Sequence, residues 1–256
     1  LLLDKNEIGG SIPDELGGAT ELQDLRLFEN ELSGPIPGGL SGLSNLRVIY
    51  IDNNDLSGQI PPTAVAGWTS LVDLQAYDNE FSGTVPAIFG LLPNLAVIAL
   101  NDNELAGPFP QAICQQGSKL LKIELSNNEL TGAIPNTIDD CSMLKRLHLS
   151  NNEMGLGYSI PSEIGQLSDL KSLHLDDNLF QGAIPTQITN LPSLEELHLE
   201  ENLLSGSVPD ELCGQLTSIQ ADCAPDNGVN NAEVACSCCT LCCGSSGCSS
   251  LFATSR

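Results

Sequence analysis

Leu22-Gln23-Asp24-Leu25-Arg26-Leu27-Phe28-Glu29-Asn30-Glu31-Leu32-Ser33-Gly34-Pro35-Ile36-Pro37 is the stretch on which the reading of this chain turns. Its side chains alternate across Leu25-Arg26-Leu27, the period of a short strand with one face buried, and Leu22 adds an apolar contact at the turn before it. The phrase recurs along the chain. Asn30 is one of nine asparagines, with Asn6, Asn54, Asn79, Asn103, Asn128, Asn152, Asn178 and Asn202, that stand 24 to 26 residues apart. In the seventh copy the phrase reads Leu144-x-x-Leu147-x-Leu149-x-x-Asn152. No single coil of this kind can bury its own leucines, so neighbouring coils complete the core and the short strands stack into a parallel sheet. The Asn amide is suited to satisfying backbone groups where the chain leaves the strand. Gly34, Gly58, Gly83, Gly107, Gly132, Gly182 and Gly206 suit a tight bend. Both columns read as structural.

The Leu-x-x-Leu-x-Leu-x-x-Asn phrase resembles the leucine-rich repeat family, and the Leu-x-Gly-x-Ile-Pro ending resembles its plant-type subclass, familiar from receptor-like ectodomains and polygalacturonase-inhibiting proteins. The resemblance covers residues 1 to about 221. It implies an α/β solenoid: a right-handed leucine-rich repeat horseshoe with a parallel β-sheet on the concave face, short strands and 3-10 turns on the convex side, and a Cys-rich C-terminal cap. Two units are expected, a solenoid over 1–221 whose first repeat is truncated, and a cap with a flexible tail over 222–256. Residue 1 enters mid-strand, as Leu1-x-Leu3-x-x-Asn6, which reads as a fragment whose signal and anchor, if any, lie elsewhere. Departures from the repeat are mild. Ala76 and Ala99 intrude in or beside a strand, and the copy after Asn152 carries two extra residues within Met154 to Ile160.

Charge narrows the partners. The 256 residues hold 33 Asp plus Glu against 9 Lys plus Arg, a formal charge of −24. So acidic a chain repels phosphate backbones and anionic headgroups, which excludes nucleic acid and a membrane surface bound through a basic patch. No apolar run is long enough to span a bilayer. The expected partner is a protein or peptide, cationic or neutral, with a co-receptor as a further candidate.

The residue between the two strand leucines projects from the exposed, concave side of the sheet. Down the stack that position reads Leu2, Arg26, Tyr50, Gln75, Ala99, Glu124, His148, His174 and His198, so all three histidines of the chain fall in one column on consecutive strands. Three readings stand side by side: a solvated polar ladder, a partner-binding stripe that changes affinity as imidazoles charge near pH 6.5, and a transition-metal site. Sequence alone reveals no groups that would orient metal ligands, so no metal and no cofactor is assigned. Positions just after the strand are acidic, among them Glu29, Asp52, Asp78, Asp102, Asp176, Asp177, Glu200 and Glu201, and they would favour a cationic ligand or serve as a solvated edge. Phe28, Tyr50 and Tyr77 gather nearer the N-terminus as interface anchors. The candidate ligand-binding set is therefore Arg26, Phe28, Tyr50, Asp52, Gln75, Tyr77, Glu124, His148, His174, Asp176, His198 and Glu200.

Ten cysteines remain. Cys114 and Cys141 lie on adjacent inter-coil segments and are candidates for one disulfide. Cys213, Cys223, Cys236 and Cys238 are candidates for stapling the cap, with thiolate metal ligation as the alternative for the tail. The tail, with Ala221-Asp222-Cys223 before it, also resembles the cysteine-dense ends of leucine-rich repeat proteins of diatom type. No nucleophile elbow, phosphate loop, His-Glu-x-x-His or dinucleotide fingerprint is present, and the chain is not expected to be an enzyme. The resemblance implies a non-catalytic, receptor-like recognition module, extracellular or at the cell surface, that binds a peptide or protein on its concave face. A soluble inhibitor of a secreted enzyme is the alternative, followed by an ice-binding protein or a cytosolic scaffold.

Overall fold

A computed structural model describes residues 1–222, 234–237, 239–244 and 247–250. Each copy of the repeated phrase makes one coil. The segments Asp24–Arg26, Val48–Tyr50, Asp73–Gln75, Val97–Ala99, Lys122–Glu124, Arg146–His148, Ser172–His174 and Glu196–His198 are strands that pair in parallel in chain order. The sheet continues through Ser218–Asp222 and Leu241–Gly244 and ends on the antiparallel strand Gly247–Ser250. Register places like on like: Leu25 stands opposite Ile49, Leu147 opposite Leu173, and Leu173 opposite Leu197. The strand leucines are thus stacked about 4.8 Å apart on one face, where neighbouring coils remove them from water. Among the described residues no helix is long and apolar enough to cross a membrane.

After each turn a second strand forms. Gly9–Gly10, Glu31–Gly34, Asp55–Gln59, Glu80–Gly83, Glu104–Pro108, Glu129–Gly132 and Glu153–Met154 make a second parallel sheet, and Gln181–Ala183, Leu203–Ser207 and Val234–Ala235 a third. The break between the second and third sheets falls where the two extra residues lie. Gly155 there has φ +88°, and a Cβ on it would run into Phe180. Each coil then passes through a proline in extended conformation and, in most coils, a single 3-10 turn, as at Pro37 before Gly38–Gly42 and Pro161 before Ser162–Gln166. Proline fits there because its fixed φ suits the entry and no N–H is needed. One coil carries a short α-helix instead, Pro62–Gly67, followed by the buried Trp68, whose Nε1 donates to the Leu40 carbonyl at 3.0 Å.

The asparagine column does what its side chain permits. Asn152 Nδ2 donates to the carbonyls of Leu125, Leu149 and Ser150 at 3.0 to 3.1 Å, while its Oδ1 accepts from Leu130 N at 2.9 Å. One amide therefore ties together two successive coils. The residue before each of these asparagines adopts left-handed φ, between 51° and 57°, at Lys5, Glu29, Asn53, Asp78, Asp102, Asn127, Asn151, Asp177 and Glu201. Asp and Asn tolerate that conformation best, which explains Asp78, Asp102 and Asp177 of the acidic column by backbone geometry.

Cys114 and Cys141 form the expected disulfide, buried between neighbouring coils with Cα atoms 5.1 Å apart. Cys213 is disulfide-bonded as well. Cys236 closes onto Cys239, a residue the repeat pattern does not single out, and this pair is a disulfide rather than a pair of thiolate metal ligands. Cys223 and Cys238 lie outside the described residues.

Candidate functional site

Strand pairing puts the expected column together in order. Arg26 is opposite Tyr50, Tyr50 opposite Gln75, Gln75 opposite Ala99, Ala99 opposite Glu124, Glu124 opposite His148, His148 opposite His174, and His174 opposite His198; Gln220 extends the row. Leu2 joins at the other end through a bridge to Arg26. Ala99 is buried and divides the row into two stretches of different chemistry.

The first stretch is aromatic and cationic. The Arg26 guanidinium makes two hydrogen bonds to the Asp24 carboxylate and lies 5.2 Å from the Tyr50 ring centroid. Phe28 meets Tyr50 edge-on at 6.4 Å, and Lys5 Nζ stands 5.6 Å from the Phe28 ring. The Tyr50 hydroxyl donates to Asp73 Oδ2 at 2.8 Å; burial, then that carboxylate, push the phenol pKa up to about 12. Gln75 Nε2 approaches the same Asp73 carboxylate. Asp52 departs from expectation. It is only 3% exposed, held by Asn53 Nδ2 and the Tyr77 hydroxyl, and burial raises its pKa, so it supports Tyr77 rather than offering a free carboxylate to a ligand.

The second stretch is a stack of imidazoles. The His148 and His174 rings lie 4.0 Å apart and 2° from parallel, and His174 and His198 4.0 Å apart and 5° from parallel. The cause is register: identical residues on successive strands bring flat rings into van der Waals contact. One edge of every ring is held. His148 Nε2 lies 2.7 Å from Ser172 Oγ, and His174 Nε2 lies 3.1 Å from the same hydroxyl and 3.4 Å from Glu196 Oε2. Ser172 in turn donates to Glu196 at 2.8 Å. His198 Nε2 is bonded to Ser218 Oγ at 3.0 Å and Gln220 Nε2 at 3.1 Å. At the N-terminal end of the stack Glu124 bonds Lys122 and faces His148 Nδ1 at 3.8 Å.

Burial corrects the expectation that the imidazoles charge near pH 6.5. Burial, followed by the neighbouring His174, lowers the His148 pKa to about 3; burial also lowers those of His174 and His198. The stack is neutral at neutral pH. Ser150 donates to Asp176 Oδ1 at 2.6 Å. Glu200, expected in the open acidic column, is instead only 8% exposed, and its Oε2 has no hydrogen-bonding partner among the described residues. Burial first, then the Asp176 charge, raise its pKa to about 7.

Ser172, Glu196 and Ser218, which position the rings, escape a reading confined to the residue between the leucines. The available signal is the two-residue strand period, since each stands two places before a histidine or Gln220 and shares its face.

Two family models described as leucine rich repeat match the sequence, one over residues 93–154 and one over 45–64, 169–191 and 193–215. No curated protein matches it. Among solved structures the chain is similar to the plant peptide hormone receptor RGFR1 in complex with RGF2, at 35% identity and TM-score 0.80, over 86% of this chain and 35% of that one. It is similar to the Arabidopsis receptor kinase HAESA in complex with the peptide hormone IDA and the co-receptor SERK1, at 30% identity and TM-score 0.78, over 96% and 38%. A plant ice-binding protein matches at 26% identity and TM-score 0.76, over 99% and 84%. The chain thus spans little more than a third of the receptor chains it matches.

Proposed function

Because this chain belongs to the leucine-rich repeat family, in its plant-type branch, we propose that it is a non-catalytic recognition module that binds a peptide or protein along its concave sheet. The observation that carries the reading is the in-register row from Arg26 to His198, an extended strip to which each strand contributes one side chain and whose chemistry changes along its length. An extended peptide laid across the strands would meet aromatic anchors at Phe28, Tyr50 and Tyr77 and then acidic and imidazole groups. A net charge of −24 favours a cationic or neutral ligand. The structural neighbours RGFR1 and HAESA were solved with peptide hormones, which supports a peptide partner and, through SERK1, a co-receptor. An extracellular or cell-surface location accords with the buried Cys114–Cys141 disulfide.

Ice binding is the second reading, favoured by the match along 84% of the ice-binding protein. Against it, the concave row alternates Arg, Tyr, Gln, Ala, Glu and His rather than repeating a small hydroxyl. A thermal-hysteresis assay separates the two. For recognition, the test is selection from a displayed random-peptide library, followed by binding to an Arg26→Ala/Tyr50→Ala/Glu124→Ala variant. Basic peptides that lose affinity for the variant support the concave face; peptides that bind it unchanged, or no enrichment at all, overturn the proposal.

A further inference from the structure

We propose that His174, Asp176 and His198 form a binding site for a divalent transition cation of the zinc, nickel and copper class. One donor atom from each of the three lies within 4.8 Å of the other two. Tetrahedral metal–ligand bonds of about 2.1 Å bring neighbouring donors to about 3.4 Å, so closure on an ion needs side-chain rotations that move each donor by up to about 1 Å. Two imidazoles with one carboxylate suit this class, whereas calcium and magnesium prefer oxygen ligands alone.

The arrangement of partners singles out these three groups. Ring nitrogens that ligate metals are generally oriented through the other nitrogen, which bonds a carboxylate, hydroxyl or carbonyl. Here His174 Nε2 is held by Ser172 and Glu196, and His198 Nε2 by Ser218 and Gln220. The Nδ1 atoms of both rings have no hydrogen-bonding partner among the described residues. Asp176 follows His174 by two residues on the same face, opposite the side taken by Ser172. His174 and His198 are stacked, and each turns its Nε2 toward side chains at the position two residues before the histidine column, Ser172 and Glu196 for one and Ser218 for the other, which leaves both Nδ1 atoms on the other edge of the stack.

One further buried group borders the site. Glu200 stands one coil beyond Asp176 and two residues past His198; it is more than nine-tenths buried, and its Oε2 has no partner among the described residues. A divalent ion at the site would lie near both this carboxylate and that of Asp176 and would be attracted by each. Asp176 accepts one hydrogen bond, from Ser150 at Oδ1, and its Oδ2 has no hydrogen-bonding partner among the described residues. His148 is outside the group because its Nδ1 faces Glu124. The site does not depend on the peptide-recognition reading, since it requires no ligand other than the ion.

The test is calorimetric titration of the oxidised, metal-stripped protein with zinc chloride and nickel chloride, with calcium chloride as control, alongside long-range 1H–15N spectra of the imidazoles. Expected are one saturable site for zinc, perturbation of the His174 and His198 Nδ1 resonances, and no competition from a hundredfold excess of calcium. His198→Ala and Asp176→Asn should each weaken binding by roughly 100-fold, and Glu196→Gln by roughly 10-fold through the orientation of His174. His148→Gln should change it less than about threefold. Circular dichroism of each variant separates a lost site from a lost fold, and Asp176→Asn, nearly isosteric, guards against misfolding. Absence of saturable binding, equal displacement by calcium, or undiminished binding in folded His198→Ala or Asp176→Asn would overturn the proposal.

Discussion

The two stretches of the concave row share one backbone and differ in what they do with it. Around Tyr50 the side chains make contacts of unlike kind, a guanidinium over a ring, a phenol on a carboxylate, and an edge-on aromatic pair. From His148 to His198 they make contacts of like kind, ring upon ring. The coil geometry is equivalent, so the difference lies in the identity of one residue per repeat and of its neighbour two places earlier. A solenoid scaffold thereby separates stability, carried by the leucines and asparagines, from chemistry, carried by the projecting residue.

If that separation holds, the largest effects of substitution come from the scaffold and are alike in both stretches. Asn54→Ala and Asn152→Ala each strand several buried backbone carbonyls and one N–H. Each should cost about 3 kcal/mol or more in denaturant unfolding. A large cost at one position and a negligible one at the other would break the equivalence of the coils. Replacing both partners, Cys114→Ser with Cys141→Ser, should cost about 3–4 kcal/mol on loop-entropy grounds, with unfolding followed in oxidising buffer so that the remaining disulfides stay closed.

Smaller effects sharpen the contrast, because the two stretches fail at opposite ends of the pH scale. The folded His148 pKa of about 3 lies below its ordinary 6.5, so as pH falls the unfolded chain takes up the proton first. Its contribution is present above 6.5 and is lost between 6.5 and about 3. The folded Tyr50 pKa of about 12 lies above its ordinary 10.0, so its contribution is present below 10 and is lost as pH rises toward 12. In metal-free buffer, His148→Asn should flatten the acid limb of the stability curve and Tyr50→Phe the alkaline limb, each leaving the other limb unchanged. The smallest effect is expected on the rim. Lys171 pairs with Glu195 at 2.9 Å with both side chains half exposed, and Lys171→Ala should leave the melting temperature within error.

Much of this architecture is legible in the amino-acid order because one phrase repeats. Leu25-Arg26-Leu27 and its counterparts locate the concave strands and their register, and Asn152 and its counterparts locate the turns. The disulfide Cys114–Cys141 follows from the same periodicity. What escaped depends on contacts that a period does not encode. The two extra residues after Asn152 were visible, but not that they would divide the second sheet at Gly155. Asp52 and Glu200 occupy positions that look solvent-facing, yet packing between coils buries them. The histidine column is legible, but its neutrality comes from burial as the stacked rings and their surroundings exclude water, against the pull of the Glu196 carboxylate, which a column read singly does not reveal.

The most direct test of recognition through the concave sheet is amide chemical-shift mapping with a basic peptide enriched from the displayed library. The account predicts perturbations along Arg26, Tyr50, Gln75, Glu124 and His148, strand after strand. Perturbations confined to the opposite side, such as the 3-10 turns Gly38–Gly42 and Ser162–Gln166, would contradict it.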